Sequence, residues 1–117
     1  MNSRAISMLL EAMEDPSKAL LYLGLDGCQL ESVASVKIGA SLMLLNPLRV
    51  INLSNNNLQD IGCLTLVNNL SSESTLQQLI LQKNNLTARG SCKILSTLAS
   101  VKSELRFLDL QLNSLIT

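Results

Sequence analysis

The strongest constraint on the fold is a repeat of 28 to 29 residues that runs along the chain. The anchor leucines of successive repeats are separated by 28, 28 and 29 residues, and aliphatic residues recur three, five and ten positions after each anchor. A period of this length indicates that each repeat is one supersecondary unit and that neighbouring units bury a common core. The anchors are Leu20, Leu48, Leu76 and Leu105. The aliphatic positions are Leu23, Ile51, Leu79 and Leu108, then Leu25, Leu53, Leu81 and Leu110, then Leu30, Leu58, Leu86 and Leu115.

The residue pattern within each repeat predicts a short strand followed by a helix. The aliphatic residues three and five positions after the anchor alternate with other residues, as in a half-buried strand. Further along, apolar or small residues fall at i, i+3, i+4 and i+7, which is one face of an α-helix. Ser32 and Asp60 stand just before two of these helices as expected N-caps. The helical sets are Ser35, Ile38, Gly39 and Leu42, then Cys63, Leu66, Val67 and Leu70, then Ser91, Ile94, Leu95 and Leu98.

A strand and a returning helix in every repeat predict an α/β fold, in the form of a right-handed βα solenoid. Strands stack about 4.8 Å apart while helices need about 10 Å, so the stack should curve with the parallel strands concave and the helices convex. We expect a single domain over residues 1–117. Its expected parts are a helical half-repeat (1–19), three full repeats (20–47, 48–75 and 76–104) and a partial, truncated repeat (105–117).

A polar or small residue stands eight positions after each anchor. The chain is expected to turn here, and the backbone groups of that turn lie between neighbouring units without a sheet partner. An asparagine side chain carries both a donor and an acceptor, so stacked copies can bond their own turn and the adjacent one. We therefore interpret this position as a structural ladder. Its members are Cys28, Asn56, Asn84 and Asn113.

The pattern LxxLxLxxN/CxL, in units of this length with a helical second half, resembles the leucine-rich repeats of the ribonuclease-inhibitor subfamily. That group includes the repeat regions of NOD-like receptors, the tropomodulin cap and the Ran GTPase-activating protein. The resemblance covers the chain from about Ile6 to Leu115. It implies a solenoid scaffold, in which Cys28 is a known variant of the ladder asparagine.

Composition argues against catalysis. Nine Lys and Arg balance nine Asp and Glu, and the chain contains no His. Balanced charge gives no electrostatic attraction to nucleic acid or to an anionic membrane. A chain without histidine lacks the side chain most used in acid–base catalysis and in metal binding. We therefore expect no enzymatic activity, no cofactor and no metal site.

The three cysteines predict a reducing compartment. Cys28, Cys63 and Cys92 are an odd number without metal-ligand spacing, and each falls where a small apolar side chain is expected. We interpret them as reduced core residues of a cytoplasmic protein. The apolar run from Ala5 to Leu10 is too short for a secretory signal or a membrane span.

The residues free to vary are the outward side chains of the strands, on the expected concave face. Both aromatic residues, Tyr22 and Phe107, occupy the same repeat position there, and aromatic residues are favoured interface anchors. Four strands cover only about 250 Å² of the roughly 800 Å² that each partner contributes to a standard interface, so the turns, the helices or further repeats must also contribute. The candidate protein-binding residues are Tyr22, Val50, Asn52, Gln78, Ile80, Gln82, Lys83, Phe107, Asp109 and Leu112.

We expect a non-catalytic protein-interaction scaffold that belongs to a larger leucine-rich-repeat protein or assembly. The sequence stops before the helix of its last repeat, so we expect the C-terminal edge to be covered by another chain or by missing sequence. Two alternatives remain open. One is a GTPase-activating regulatory module, because a branch of the similar family does this. The other is a structural component of a cytoskeletal or axonemal assembly.

Overall fold

The computed structural model describes residues 22–30, 48–71 and 74–113. Four sequence predictions concern other parts of the chain: the helical half-repeat over residues 1–19, the anchor Leu20, the helix expected after the first strand with its cap Ser32, and the closing leucine Leu115. They lie outside the described residues.

Four short strands form a parallel sheet in the order β1-β2-β3-β4. Each strand residue pairs with its counterpart one repeat further along: Leu23 with Ile51, Ile51 with Leu79, and Leu79 with Leu108. The repeat spacing thus sets the register, and equivalent residues form columns across the sheet. This confirms the predicted adjacency of parallel strands. The strands are β1 (Tyr22–Gly24), β2 (Val50–Asn52), β3 (Gln78–Ile80) and β4 (Phe107–Asp109).

Two helices connect the later strands. Helix α1 spans Gln59–Val67 between β2 and β3, and helix α2 spans Ala88–Ser100 between β3 and β4. The helices pack against each other. They supply the crossover that successive parallel strands require, so the α/β class predicted from the sequence is confirmed.

The core is a layered set of aliphatic side chains that joins the sheet to the helices. Ile51 and Leu79 of the strands are fully buried, and so are Leu66 and Val67 of helix α1. Burying one such side chain contributes about 1.5–3 kcal/mol. Because the equivalent residue of the next repeat fills each layer, the core continues from one repeat to the next.

The prediction that two residues of helix α2 are buried in the core is wrong. Leu95 is 56% exposed and Cys92 is exposed, although both were expected to face the core. Leu95 borders an open groove with Leu98 and Val101, and no element of the described chain covers that side of the helix. Cys92 follows Ser91, whose side chain faces inward, so the helical rotation of about 100° per residue turns Cys92 towards solvent.

Candidate functional site

The turn after strand β2 is held by the side chain of Asn56. Its Nδ2 donates to the carbonyl oxygens of Leu25, Leu53 and Ser54 at 2.8, 3.0 and 3.1 Å. Its Oδ1 accepts from the backbone N–H of Leu30 at 3.2 Å. Asn56 is only 2% exposed, so water cannot replace these bonds. One amide therefore bonds both its own turn and the turn of the preceding repeat.

Asn84 repeats this arrangement one unit later. Its Oδ1 accepts from the N–H groups of Asn56 and Leu58 at 3.1 and 3.2 Å, and its Nδ2 donates to the carbonyl oxygens of Leu53 and Gln82 at 3.0 and 3.2 Å. Asn84 is fully buried. The two asparagines are directly linked, because the backbone of one donates to the side chain of the other.

Asn113 continues the series while Cys28 stands at its start. Asn113 Oδ1 accepts from the N–H groups of Asn84 and Leu86 at 2.7 and 3.1 Å. Its Nδ2 donates to Leu81 O at 3.0 Å. Cys28 is half-buried, and its thiol donates to the backbone carbonyl of Asp26 at 3.8 Å. Each amide thus reaches back to the preceding repeat.

The same turns place several residues in the left-handed backbone region. Lys83 has φ 51° and Leu112 has φ 61°, at a repeat position that elsewhere holds Gly27 and Asn55. Glycine and asparagine adopt this conformation readily, whereas leucine does so at a cost of about 1 kcal/mol or more. The side chain of Leu112 is nevertheless 66% exposed. Nothing in the packing of the described residues requires a leucine there.

None of the ten candidate binding residues is buried, and the strand pairing arranges those in the strands in columns on one face of the sheet. We call this surface the exposed sheet face. Its largest apolar side chains are Tyr22 and Phe107, 55% and 50% exposed, at the two ends of one column. The exposed members are Tyr22, Gln78, Lys83, Phe107 and Leu112, and the half-buried members are Val50, Asn52, Ile80, Gln82 and Asp109.

Several polar groups of this face bond to one another. Gln82 Nε2 donates to Asp109 Oδ2 at 2.6 Å, and Asp109 Oδ1 accepts from the Gln111 N–H at 3.0 Å. Asn52 Oδ1 accepts from the Ser54 N–H at 3.0 Å. Ser54 itself is buried, and its Oγ accepts from the Gln82 N–H of the next repeat. These bonds fix the polar side chains beside the aromatic residues.

A second contact between repeats, which the sequence did not predict, involves Asp60. Helix α1 has no side-chain N-cap bond, so the prediction that Asp60 caps it is wrong. The carboxylate of Asp60 instead accepts from the backbone N–H of Thr87 at 2.9 Å and from its hydroxyl at 2.6 Å. Thr87 in turn caps helix α2, since its Oγ1 accepts from the Gly90 N–H at 3.2 Å. A threonine directly before the helical pattern is a signal that could have identified this cap.

Glycine is required at position 90 by the same contact. A Cβ on Gly90 would overlap the carboxylate of Asp60. Asp60, Thr87 and Gly90 therefore form one unit, which we call the inter-repeat latch. It joins the start of helix α1 to the start of helix α2.

No catalytic constellation is present in the described part of the chain. Cys63 is fully buried, and burial, followed by the nearby charge of Asp60, raises the pKa of its thiol to about 12. Such a thiol is a poor nucleophile. Within residues 22–30, 48–71 and 74–113, no group of three or more His, Cys, Asp or Glu side chains is arranged to hold a metal ion. In the same ranges no helix has the length and apolar character needed to cross a bilayer.

Comparison with known proteins identifies relatives that match along most of the chain. Ribonuclease inhibitor of Mus musculus is 30% identical over 116 residues, which cover 98% of this chain and 25% of that protein. NACHT, LRR and PYD domains-containing protein 5 of Homo sapiens is 35% identical over 111 residues, 94% of this chain and 9% of that protein. NACHT, LRR and PYD domains-containing protein 9B of Mus musculus is 39% identical over 66 residues, 56% of this chain and 7% of that protein. The chain therefore spans a quarter or less of the length of these relatives. No protein-family model matches it.

Proposed function

The chain is a leucine-rich-repeat protein of the ribonuclease-inhibitor-like type, and from that premise we propose that it is a non-catalytic module that binds a protein through its exposed sheet face. A repeated frame offers an extended surface instead of a deep pocket. The first relative is named for inhibiting another protein, a ribonuclease, and a binding role of that kind is part of the proposal.

The observation that carries the proposal is the pair of exposed aromatic side chains in one column. Tyr22 and Phe107 are the chain's only Tyr and Phe, and each leaves about half of its surface open. Three strand spacings of about 4.8 Å separate them, so they lie about 14 Å apart across the sheet. Aromatic residues supply a large contact area with few rotatable bonds, which is why they dominate interface anchors.

Backbone strain at Leu112 supports the same face. A leucine with φ 61° costs free energy that Gly or Asn would save, and its side chain remains 66% exposed. Neither the strain nor the exposure contributes to folding. Both are explained if a partner covers Leu112.

The ladder and the latch suit such a face because they make it rigid. The turns that border the face are fixed by buried amide bonds, and the strands keep their register through those turns. A rigid surface loses little conformational entropy when it binds, which favours affinity.

The partner must contact more than the strands. The strand face offers about 250 Å², against about 800 Å² per partner in a standard interface. We propose that the footprint extends along the exposed turn residues Asn55, Lys83 and Leu112, which lie at one end of the strands.

In the complete architecture that we propose, the solenoid is right-handed and curves with this face inside. We also propose that it works in a reducing, cytoplasmic setting, where Cys63 and exposed Cys92 stay as thiols.

A paired set of variants of the whole chain tests the proposal. The face variant replaces Tyr22 and Phe107 with serine. The matched control replaces Ile61 and Leu95, which lie on the helices and are 67% and 56% exposed, with serine. Each variant removes two apolar side chains of similar exposure. A general loss of nonspecific hydrophobic binding therefore affects the two variants equally.

The readout is the set of proteins retained from a cell extract by each immobilised chain, quantified by mass spectrometry, after circular dichroism has shown that both variants remain folded. We expect a protein that the wild-type chain and the helix control retain and that the face variant loses. If the face variant retains the same proteins as the wild type while the helix control loses them, the binding site lies on the helices and the proposal is wrong.

A further inference from the structure

The side chain of Tyr22 leans along its own strand over Gly24. Its ring atoms Cε1 and Cζ and its hydroxyl oxygen lie 3.2, 3.7 and 3.4 Å from the position that a Cβ on Gly24 would take. An alanine at that position would push the ring away, because the shortest of these contacts is tighter than an ordinary one. Glycine therefore lets the ring rest against the sheet, while Tyr22 as a whole remains 55% exposed. The outer side of the ring is an open aromatic surface.

A carboxylate stands at the end of the same strand. The chain stays alongside β2 beyond Gly24, because the N–H groups of Leu25 and Gly27 donate to Asn52 O and Ser54 O. Leu25 is buried and Asp26 is exposed, so Asp26 follows Gly24 on the exposed side. Two residues of extended chain span about 7 Å, so Asp26 stands about 7 Å beyond Gly24 along the strand, in the direction in which the Tyr22 ring leans.

The Asp26 carboxylate has no partner among the described residues, whereas the carboxylate of Asp109 on the exposed sheet face has two. Asp109 uses both of its oxygens, one for Gln82 and one for the Gln111 N–H. Asp26 forms no side-chain hydrogen bond and no ion pair with any described residue. An exposed aromatic ring, followed along the same side of the strand by an unpaired carboxylate, offers a cation two favourable contacts.

We propose that Tyr22, Gly24 and Asp26 form a receptor for one arginine side chain of the protein partner. The guanidinium group stacks on the outer side of the Tyr22 ring and donates to the Asp26 carboxylate. This assignment rests on the proposed function of the exposed sheet face and specifies the chemistry of its partner at one point.

Arginine fits this pair better than lysine does. A guanidinium group is planar, so it can lie flat on a ring and at the same time point two N–H groups at a carboxylate. It is also less strongly hydrated than an ammonium group, and it loses less when it leaves water. A neutral side chain of the same shape lacks the attraction between opposite charges, so a comparison with it isolates the contribution of the charge to the affinity.

The aromatic ring signals of the chain can report binding in an NMR experiment. Tyr22 is the only Tyr and Phe107 the only Phe in the sequence, so their ring signals are unambiguous in an NMR spectrum. The complete 117-residue chain is titrated with the tripeptide acetyl-Gly-Arg-Gly-amide. The matched probe carries citrulline, the uncharged isostere of arginine, in place of arginine. A third probe carries lysine.

We expect the arginine peptide to shift the Tyr22 ring signals progressively, to leave those of Phe107 unchanged, and to bind more tightly than the citrulline and lysine peptides. Asp26→Asn removes the charge, and Gly24→Ala displaces the ring without changing any charge. Each should weaken binding of the arginine peptide by about two- to fivefold. Glu104→Gln is the control, because it removes an exposed negative charge that lies outside the exposed sheet face, and it should leave the affinity unchanged.

Equal shifts with the arginine and citrulline peptides, or an unchanged affinity in Asp26→Asn, would overturn the assignment. The outcome is separable from that of the proposed function. If a protein partner depends on Tyr22 and Phe107 while the arginine peptide behaves like its citrulline analogue, the face binds protein and the arginine receptor is wrong. If the arginine peptide binds as expected while the face variant captures the same proteins as the wild-type chain, the arginine receptor is supported and the proposed function is wrong.

Discussion

Replacing Asn84 with alanine isolates the contribution of the buried amide ladder. The Asn84 side chain has four backbone partners, and the structure shows which of them would be left without a hydrogen bond. Leu53 O keeps its bond from Asn56 Nδ2, and Gln82 O keeps its bond from the Asn55 N–H. The N–H groups of Asn56 and Leu58 lose their acceptor.

Each buried N–H without an acceptor costs about 1–3 kcal/mol, so Asn84→Ala should lower the free energy of unfolding by about 2–6 kcal/mol. That is a large part of the roughly 5–15 kcal/mol that stabilises a typical domain. Asn113→Ala also removes the acceptor of two N–H groups, but Asn113 is only half-buried and water can replace part of the loss. We therefore expect a smaller decrease for Asn113→Ala than for Asn84→Ala.

The assay is urea unfolding followed by far-UV circular dichroism, since the chain has no Trp for fluorescence. Asn68→Ala is the matched control, because Asn68 is an exposed asparagine at the end of helix α1 whose backbone alone takes part in a bond. It should change the free energy by less than about 0.5 kcal/mol. If Asn84→Ala were as harmless as Asn68→Ala, the ladder would contribute no net stability and the reasoning would be refuted.

Four further experiments test other features of the structure. Gly90→Ala should destabilise the chain because its Cβ overlaps the Asp60 carboxylate, and Asp60→Ala in the same chain should recover part of that loss in urea unfolding; additive effects would argue against the latch. Ser91→Ala should raise the free energy of unfolding by about 1 kcal/mol, since the buried Ser91 Oγ has no hydrogen-bond partner, and a decrease would mean that this hydroxyl is bonded. Iodoacetamide at pH 8 should modify exposed Cys92 and spare buried Cys63 in the folded chain, as mass spectrometry can show. The pKa of Cys63 rises from 9.0 to about 12 on folding, so its stabilising contribution is complete below pH 9 and is lost as the pH rises towards 12; Cys63→Ala should remove that part of the pH dependence.

The sheet could be predicted from the sequence because one periodic pattern specifies it. The same spacing that aligns Leu23, Ile51, Leu79 and Leu108 in the sequence sets their pairing in the sheet. Each buried side chain of the core packs against its equivalents in the neighbouring repeats, so its position follows from the period. The resemblance to ribonuclease-inhibitor-like repeats, which rests on this pattern, is confirmed by the relatives.

The contacts that the sequence did not predict depend on side-chain direction and not on period. Asp60 stands where an N-cap is expected, but its carboxylate reaches the next repeat, where the absence of a side chain on Gly90 leaves room for it. Leu95 matches the helical pattern and yet faces an open groove, because a pattern of spacing does not show what lies opposite a side chain. The leaning ring of Tyr22 over Gly24 is likewise a matter of rotamer, which periodicity does not reveal.

Cross-strand nuclear Overhauser effects in the isotope-labelled chain test the stacked-repeat architecture most directly. Every proposal above depends on neighbouring strands that run parallel with residues 28 or 29 apart side by side. Backbone contacts are expected between Leu23 and Ile51, between Ile51 and Leu79, and between Leu79 and Leu108. Contacts in an antiparallel order, or a register displaced by even one residue, would contradict the architecture and with it the binding face.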